Sequence, residues 1–383
     1  MFSKQNKSMT IGILGAGQLA RMSAIAAKKL SHRVHIYAEN NGSEPACELA
    51  EKVVVGKLND LTQLNEFAKT CDVLTLENEF IDGKLLEDLQ TKSGVAIYPS
   101  PKTFQLIEDK ITEKTTFQNA HIPVVPFAAV NSSEDILAFA KTHGWPLILK
   151  SAKGGYDGYG NFLIKSSADI EKGIAALGGP QKKQLMVEAY LDLKKEVAIQ
   201  VARNANGFVT YPVCETVQKN HICHLVFSPA LEDETTKRKI MAYALQAIEA
   251  IDGVGIYAFE FFIDKKNQIF LNESAPRPHN SGHYSIEACR TSQFENHIRA
   301  VTGDKLGQTN MKYPFAVMTN LLGTQEGTPL FKFTEPIPEN IAIHNYQKLQ
   351  SKIGRKMGHI TAYGDDLESL KGLALKLSAN AKI

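Results

Sequence analysis

The chain is poor in the residues that would mark it as secreted, membrane-spanning or zinc-stapled. Its 383 residues include five cysteines, Cys47, Cys71, Cys214, Cys223 and Cys289, odd in number and without CxxC spacing. That excludes a disulfide framework and a thiolate zinc site, and it fits a reducing, cytoplasmic compartment. No apolar run reaches the roughly 18 residues of a membrane helix. The opening MFSKQNKSM lacks the apolar core of a signal peptide and reads as a mobile leader before the first strand. Neither charge sign dominates: 43 Lys and Arg against 41 Asp and Glu leave a net charge of +2, too little for a dedicated nucleic-acid or membrane surface. Internal repeats and low-complexity tracts are missing as well. What is present is an ordinary globular composition, 43% hydrophobic and 22% charged, over a length that exceeds one core and implies two or three domains.

Apolar runs and turn residues divide the chain into α/β units. A strand at 10–14, a Gly turn, a helix at 18–30 and a strand at 33–37 make a βαβ opening. Strands at 52–55, 73–76 and 95–98 then alternate with helices at 62–69 and 84–92, giving a doubly wound parallel sheet. Tyr98-Pro99-Ser100-Pro101 ends it, and Ser100 is placed to cap a helix running through Lys110 and Lys114. After Pro123 and Pro126 a second unit has strands at 146–150, 161–164 and 184–188, a Gly-rich loop and a helix at 167–177. From Glu196 a third unit carries long β segments, a helix at 234–251, a hairpin and a helix at 285–302. The tail, 311–383, reads as a small α/β appendage ending in a helix with Lys371 and Lys376.

The stretch Tyr257 to Tyr284, YAFEFFIDKKNQIFLNESAPRPHNSGHY, carries the most chemistry. Two apolar, aromatic runs flank Lys265-Lys266-Asn267 and predict a β-hairpin. With the turn centred on Lys266-Asn267, Asp264 faces Ile269 and Glu260 faces Glu273, so two carboxylates share one face with Cβ atoms about 5 Å apart. Like charges so placed repel, and their Phe, Ile and Leu neighbours add a desolvation cost unless a cation lies between them. Mg²⁺ suits one or two carboxylates completed by water and phosphate oxygens. A solvent-facing pair on an edge hairpin would need no metal. Beyond the hairpin, Arg277, His279, Asn280, Ser281, Gly282 and His283 crowd together beside Pro276 and Pro278, a polar loop suited to a substrate phosphate.

Four other motifs leave their alternatives open. Gly15-Ala16-Gly17-Gln18 after a strand, with Glu39 roughly 20 residues on, fits the dinucleotide fingerprint and alone suggests a nicotinamide enzyme; βαβ turns that hold only a phosphate carry the same glycines. Glu77, in the TLENE run ending a strand, contacts a substrate or caps a turn. Lys150 ends a strand before Gly154-Gly155-Tyr156-Asp157-Gly158-Tyr159-Gly160-Asn161, whose backbone N–H groups suit phosphate oxygens although no Walker A ending is present; a ligand-free hairpin explains the glycines equally. Glu188-Ala189-Tyr190-Leu191 with Glu196 offers backbone groups and a carboxylate to an adenine edge and a ribose. His221, His224 and His344 have no metal-ligand spacing. Lys352, Gly354, Arg355, Lys356 and His359 form a basic cluster that grips a phosphate or is simply solvated.

Taken together, these features resemble the ATP-grasp ligases. GAGQLARM (15–22), TLENE (75–79), YPSP (98–101), GGYDGYGN (154–161), NESAPRPHNSGHY (272–284), TSQFENHIRAV (291–301) and GRKMGH (354–359) are closer still to the N5-carboxyaminoimidazole ribonucleotide synthetases of purine biosynthesis. The resemblance spans nearly the whole chain, and APRPHNSGHY is its most specific run. It implies an α/β chain, α+β overall, with an ATP-grasp fold: a Rossmann-like pre-ATP-grasp domain at 1–104, an ATP-grasp domain at 113–303 with a lid at about 120–188, and a C-terminal domain at 304–383.

The resemblance also implies an ATP-dependent carboxylation of 5-aminoimidazole ribonucleotide by bicarbonate through carboxyphosphate, in a homodimer. Glu260 and Glu273 would hold Mg²⁺, with Mn²⁺ as the alternative ion. Lys110, Lys150, the loop Gly155 to Asn161, Glu188, Ala189, Tyr190, Leu191, Glu196, Gln218, Asn272 and Glu273 would serve ATP. Gln18, Glu77, Tyr156, Arg277, His279, Asn280 and Ser281 would face the ribonucleotide, with Lys348 and Arg355 on its 5′-phosphate. Asp157, Arg277 and His279 are the catalytic candidates, Asp157 steering the amine proton. Three positions depart from the family pattern: Tyr159 replaces the usual Lys or Arg, Gln218 an ATP-side His, and Lys352-Ile353-Gly354-Arg355 the usual Arg-Pro-Gly-Arg. Rival readings are a formate-using glycinamide ribonucleotide transformylase of the same architecture, a nicotinamide-dependent oxidoreductase, and a non-catalytic ATP-binding scaffold.

Overall fold

Short apolar runs bounded by glycine or aspartate build the first of three sheets. The computed structural model describes residues 8–40, 42–79, 81–154, 160–219 and 222–383. β1 (Thr10–Leu14), β2 (Arg33–Ala38), β3 (Lys52–Val55), β4 (Val73–Leu76) and β5 (Ala96–Tyr98) are all parallel, in the order β3-β2-β1-β4-β5. Asp60 and Asp82 cap the intervening helices Leu61–Ala68 and Gly83–Ser93 with their carboxylates. The strand order reverses between β1 and β4, and such a sheet binds ligands outside the carboxyl ends of those strands. Ser100 caps the next helix, Pro101–Ile107, as expected. That helix does not run on through Lys114, however. Asp109 accepts from the N–H groups of Ile111 and Thr112 and starts a second helix, Lys110–Asn119.

The second sheet is antiparallel: β6 (Phe127–Val130), β7 (Leu147–Ser151), β8 (Asn161–Ile164) and β9 (Leu185–Ala189), in the order β6-β9-β7-β8. The third has nine strands, β10 (Leu193–Asn204), β11 (Gly207–Thr210), β12 (Cys214–Lys219), β13 (Ile222–Ser228), β14 (Gly255–Asp264), β15 (Ile269–Ala275), β16 (Phe315–Leu322), β17 (Ile341–Asn345) and β18 (Lys356–Gly364). Its order is β15-β14-β10-β12-β13-β16-β18-β17, with β11 attached to β10. The C-terminal strands therefore share this sheet, β16 pairing with β13. Tyr257, Phe259 and Phe261 of β14 point into the largest core, against Ile240, Ala244, Ala247 and Ile248 of the helix Glu234–Ala250. The helix expected over 285–302 is two pieces, Ser285–Ala288 and Gln293–Val301, because Cys289 turns extended and bridges Met311 while Ser292 caps a fresh start. Among the described residues no helix is long and apolar enough to cross a membrane.

The β14–β15 hairpin forms with a register that differs from expectation at its turn. Asp264 does not face Ile269: Ile263 does, and Asp264 accepts from the N–H groups of Lys266 and Gln268 to close the turn, with Asn267 left-handed at φ 60°. Continued unbroken, that pairing would set Glu273 against Phe259, on the core face. A bulge at Asn272 adds one residue, so Glu260 pairs with Glu273 after all and both carboxylates leave the core.

Candidate active site

A cleft of about 800 Å³ opens where the three sheets converge, lined among others by Gln18, Glu77, Glu79, Lys110, Glu113, Lys153, Gly154, Glu273, Arg277, His279, Asn280 and Lys356. One helix organises its centre. From Lys110–Asn119, Lys110 reaches Glu273 at 2.7 Å, Glu113 accepts from Ser274 N–H at 2.7 Å and from Ser274 Oγ at 2.6 Å, and Lys114 reaches Glu188 at 2.5 Å. Residues three and four apart share a helix face, so this face engages β15 of the large sheet and β9 of the small one together.

The carboxylates respond in opposite senses. Lys110 holds Glu273 down to about 2. Burial, and then Glu273 across the strand pair, push Glu260 up to about 8. Burial also raises Glu113 to about 7, against the pull of Lys110. Glu188 is ion-paired with both Lys114 and Lys150; burial pushes its carboxyl up, but the two lysines outweigh it and hold it at about 2. Glu188 thus joins a lysine of the Lys110–Asn119 helix to one of β7, and Ala189 closes β9 beside it. Glu196 and Gln218, on neighbouring strands, bond at 3.1 Å.

Glu77 settles the glycine turn. Its Oε2 accepts from Gly17 N–H at 2.6 Å and its Oε1 from Leu19 N–H at 3.3 Å, so a carboxylate from β4 occupies the helix N-terminus where a pyrophosphate would sit. Glu39, the expected ribose partner, is exposed. The nicotinamide reading is corrected on this ground. Gly17 has an ordinary φ of −81°, yet a Cβ there would meet Glu77 Oε1 at 2.3 Å. Gly17→Ala is therefore expected to cost about 1–3 kcal/mol through this clash alone, read as a lower urea midpoint with an unchanged m-value; a midpoint equal to the parent's would refute the carboxylate plug.

Opposite this turn, Arg277 donates twice to Glu79, Nη2 to Oε1 at 2.7 Å and Nε to Oε2. His279 Nε2 lies 3.5 Å from Glu260 Oε1 and its Nδ1 lies 2.8 Å from Ser281 Oγ; burial and then Arg277 depress it to about 3, so the imidazole is neutral. Asn280 exchanges amide hydrogen bonds with Asn320, at 2.9 and 2.7 Å. Ser281 does not face the cleft. It is 1% exposed and held by Gln200 Nε2 at 2.9 Å, behind His279, so its expected contact with a ribonucleotide is corrected to a support. Lys348 donates to Lys356 C=O at 2.8 Å and burial lowers it to about 8, while Arg355 is exposed and bonds Gln350 C=O at 2.9 Å.

Gly155, Tyr156, Asp157, Gly158, Tyr159 and His221 lie outside the described residues; Gly160 and Asn161 stand at the start of β8. Sequence reading missed Glu79, Glu113, Lys114 and Gln293. Lys114 had a usable signal, its i+4 spacing from Lys110. The others act through contacts between distant segments.

Three domain families match the chain: the ribonucleotide synthetase preATP-grasp domain over residues 8–108, the ATP-grasp domain over 115–294, and the phosphoribosylaminoimidazole carboxylase C-terminal domain over 316–372. An N5-carboxyaminoimidazole ribonucleotide synthase of Staphylococcus aureus (strain MRSA252) is 39% identical over 367 residues, 96% of each chain. The crystal structure of the Staphylococcus aureus N5-carboxyaminoimidazole synthetase complexed with ADP has a TM-score of 0.86 at 35% identity, covering 98% of this chain and 100% of that one. An Aspergillus clavatus N5-carboxyaminoimidazole synthase in complex with ADP and 5-aminoimidazole ribonucleotide has a TM-score of 0.86 at 30% identity over 98% of both.

Proposed function

The chain belongs to the N5-carboxyaminoimidazole ribonucleotide synthase family, and from that premise and the geometry of the cleft we propose that it joins 5-aminoimidazole ribonucleotide to bicarbonate. ATP is cleaved to ADP and phosphate, and the product is N5-carboxyaminoimidazole ribonucleotide, in purine biosynthesis. Bicarbonate is a poor electrophile at neutral pH. Its oxygen attacks the γ-phosphorus, ADP leaves, and the exocyclic amine of the ribonucleotide takes the carboxyl carbon as phosphate departs. The amine proton goes to Asp157 or to a phosphate oxygen.

One observation carries this reading: a paired set of acids, Glu260 and Glu273, bracketed by Lys110 at the meeting point of all three sheets. Among the described residues no group of three or more His, Cys, Asp or Glu forms a metal site. Two carboxylates, one pushed to about 8 partly by the other, fit Mg²⁺, which completes its shell with water and phosphate oxygens. When bound, that ion neutralises charge that moves between phosphates. Lys110, paired with Glu273, and Lys150, paired with Glu188, are the side chains this reading sets against the ATP phosphates. Ala189, Tyr190 and Leu191 border the nucleoside with Glu196. On the other side, Gln18 and Glu77 on one wall and Arg277, His279 and Asn280 on the facing wall enclose the ribonucleotide, and Lys348 and Arg355 take its 5′-phosphate. Arg277 reaches its wall already oriented by Glu79, which lowers the entropic cost of binding an anion there.

Coupled ADP release at fixed bicarbonate, with and without 5-aminoimidazole ribonucleotide, tests the proposal. Stimulation by the ribonucleotide that formate plus glycinamide ribonucleotide does not reproduce is expected. Stimulation by formate instead would transfer the assignment to the transformylase, and unstimulated binding of ATP would leave only a scaffold.

A further inference from the structure

The run Thr291-Ser292-Gln293-Phe294-Glu295-Asn296-His297 opens a helix whose polar side chains are hidden: Gln293 and Asn296 are 0% exposed and His297 is 1% exposed. A buried primary amide is costly unless both of its ends are bonded. Those of Gln293 are. Its Oε1 accepts from His279 N–H at 3.0 Å, and its Nε2 donates to His279 C=O at 2.8 Å and to His283 Nδ1 at 3.0 Å. A reversed amide would set oxygen against oxygen, so its orientation is fixed. Gln293 N–H donates to Ser285 Oγ, which donates to Gly282 C=O. A Cβ on Gly282 would stand 2.5 Å from Gln293 Oε1, so the turn between them is closed to larger residues.

One turn further along the helix, His297 accepts from Ile256 N–H through Nδ1 at 3.2 Å and donates through Nε2 to Thr75 Oγ1 at 2.8 Å. Thr75 lies on β4, two residues before Glu77. Positions i and i+4 share a helix face. A single rigid element thus grips the Glu77 wall of the cleft with His297 and the backbone of His279, on the opposite wall, with Gln293.

We propose that Gln293 is a positioning residue for the carboxylation: its side-chain amide, on a helix pinned to β4, fixes the height of His279 relative to Glu77 and so the width of the ribonucleotide slot. This rests on His279 belonging to the ribonucleotide wall. Gln293→Met keeps the length and packing of the side chain and removes both ends of the amide. A displacement of about 1 Å at a reacting site is worth up to about 100-fold in rate, so kcat/KM for 5-aminoimidazole ribonucleotide should fall about 10- to 100-fold while KM for ATP stays within about twofold. Gln293→Glu retains the acceptor for His279 N–H and loses the donors; it should fall between parent and Gln293→Met, and it carries the test if the methionine variant does not fold. The decisive measurement is the double variant. His279→Ala leaves every backbone bond to Gln293 in place, so Gln293→Met added to His279→Ala should cost nothing further. Losses that multiply in the double variant, or a Gln293→Met enzyme with parental kcat/KM, overturn the positioning role. A fully active His279→Ala enzyme instead overturns the wall assignment beneath it.

Discussion

Glu273→Gln should abolish ribonucleotide-stimulated ADP release, by about 100-fold or more, because several kcal/mol of charge stabilisation on the transferred phosphate depend on this carboxylate. Glu273 does two jobs that an amide cannot. It supplies the negative charge that pairs with Lys110 at 2.7 Å, and it is half of the facing pair with Glu260. The fold should survive the change. Lys110 loses a partner, but Glu260 loses the like charge that, after burial, does most to push it up. The glutamine also keeps the size of the side chain at the bulge. The check is kcat against thermal midpoint: an inactive variant with a parental melting curve is the expected result, and a variant with parental turnover would refute the metal assignment.

Glu188→Ala should be the most destabilising single change in the small sheet, costing about 3–5 kcal/mol, the usual result of stripping one partner from a buried ion pair. Here one carboxylate serves two lysines. Glu188 and Lys114 are both 2% exposed, and Lys150 approaches from β7. Alanine would leave two ammonium groups facing one another without a counter-charge. The same triad predicts a pH dependence whose sign is fixed. With the folded carboxyl held at about 2 and the ordinary value at 4.5, the stabilisation is complete above about pH 4.5 and disappears as pH falls toward 2. Urea midpoints of the parent between those values should therefore decline more steeply than those of Glu188→Ala. Parallel declines would show that Glu188 is not the titrating group.

These two residues also show what a sequence discloses. Glu260 and Glu273 could be paired on paper because a hairpin is local and its alternation visible. The expected register was nonetheless one residue off at the turn, where Asp264 caps Gln268 N–H, and the bulge at Asn272 restored the pair. Whether a strand bulges depends on what the flipped side chain would meet, here the Phe259 core, and that is a tertiary fact. Strand positions in the parallel sheet were legible for a similar reason, since doubly buried strands read as continuous apolar runs. The lysine partners of Glu188 were not legible, because Lys114 and Lys150 are brought to it from other segments. Ser281 misled: its neighbours in sequence face the cleft, whereas Gln200 draws it inward. The glycine turn had two readings until the structure put Glu77 into it.

The pairing of β16 with β13 also has a bearing on how the chain is made. Thr319 Oγ1 bonds the carbonyl of His224, 95 residues earlier. On a ribosome adding about 5–20 residues per second, β13 would wait roughly 5–20 s for its neighbour, presenting Leu225, Phe227 and a row of open backbone groups. A chaperone or trapping strand that reaches the nascent chain in that interval meets an incomplete sheet, so the yield of this enzyme in a cell should depend on translation speed across the stretch between these strands as well as on the stability of the finished fold.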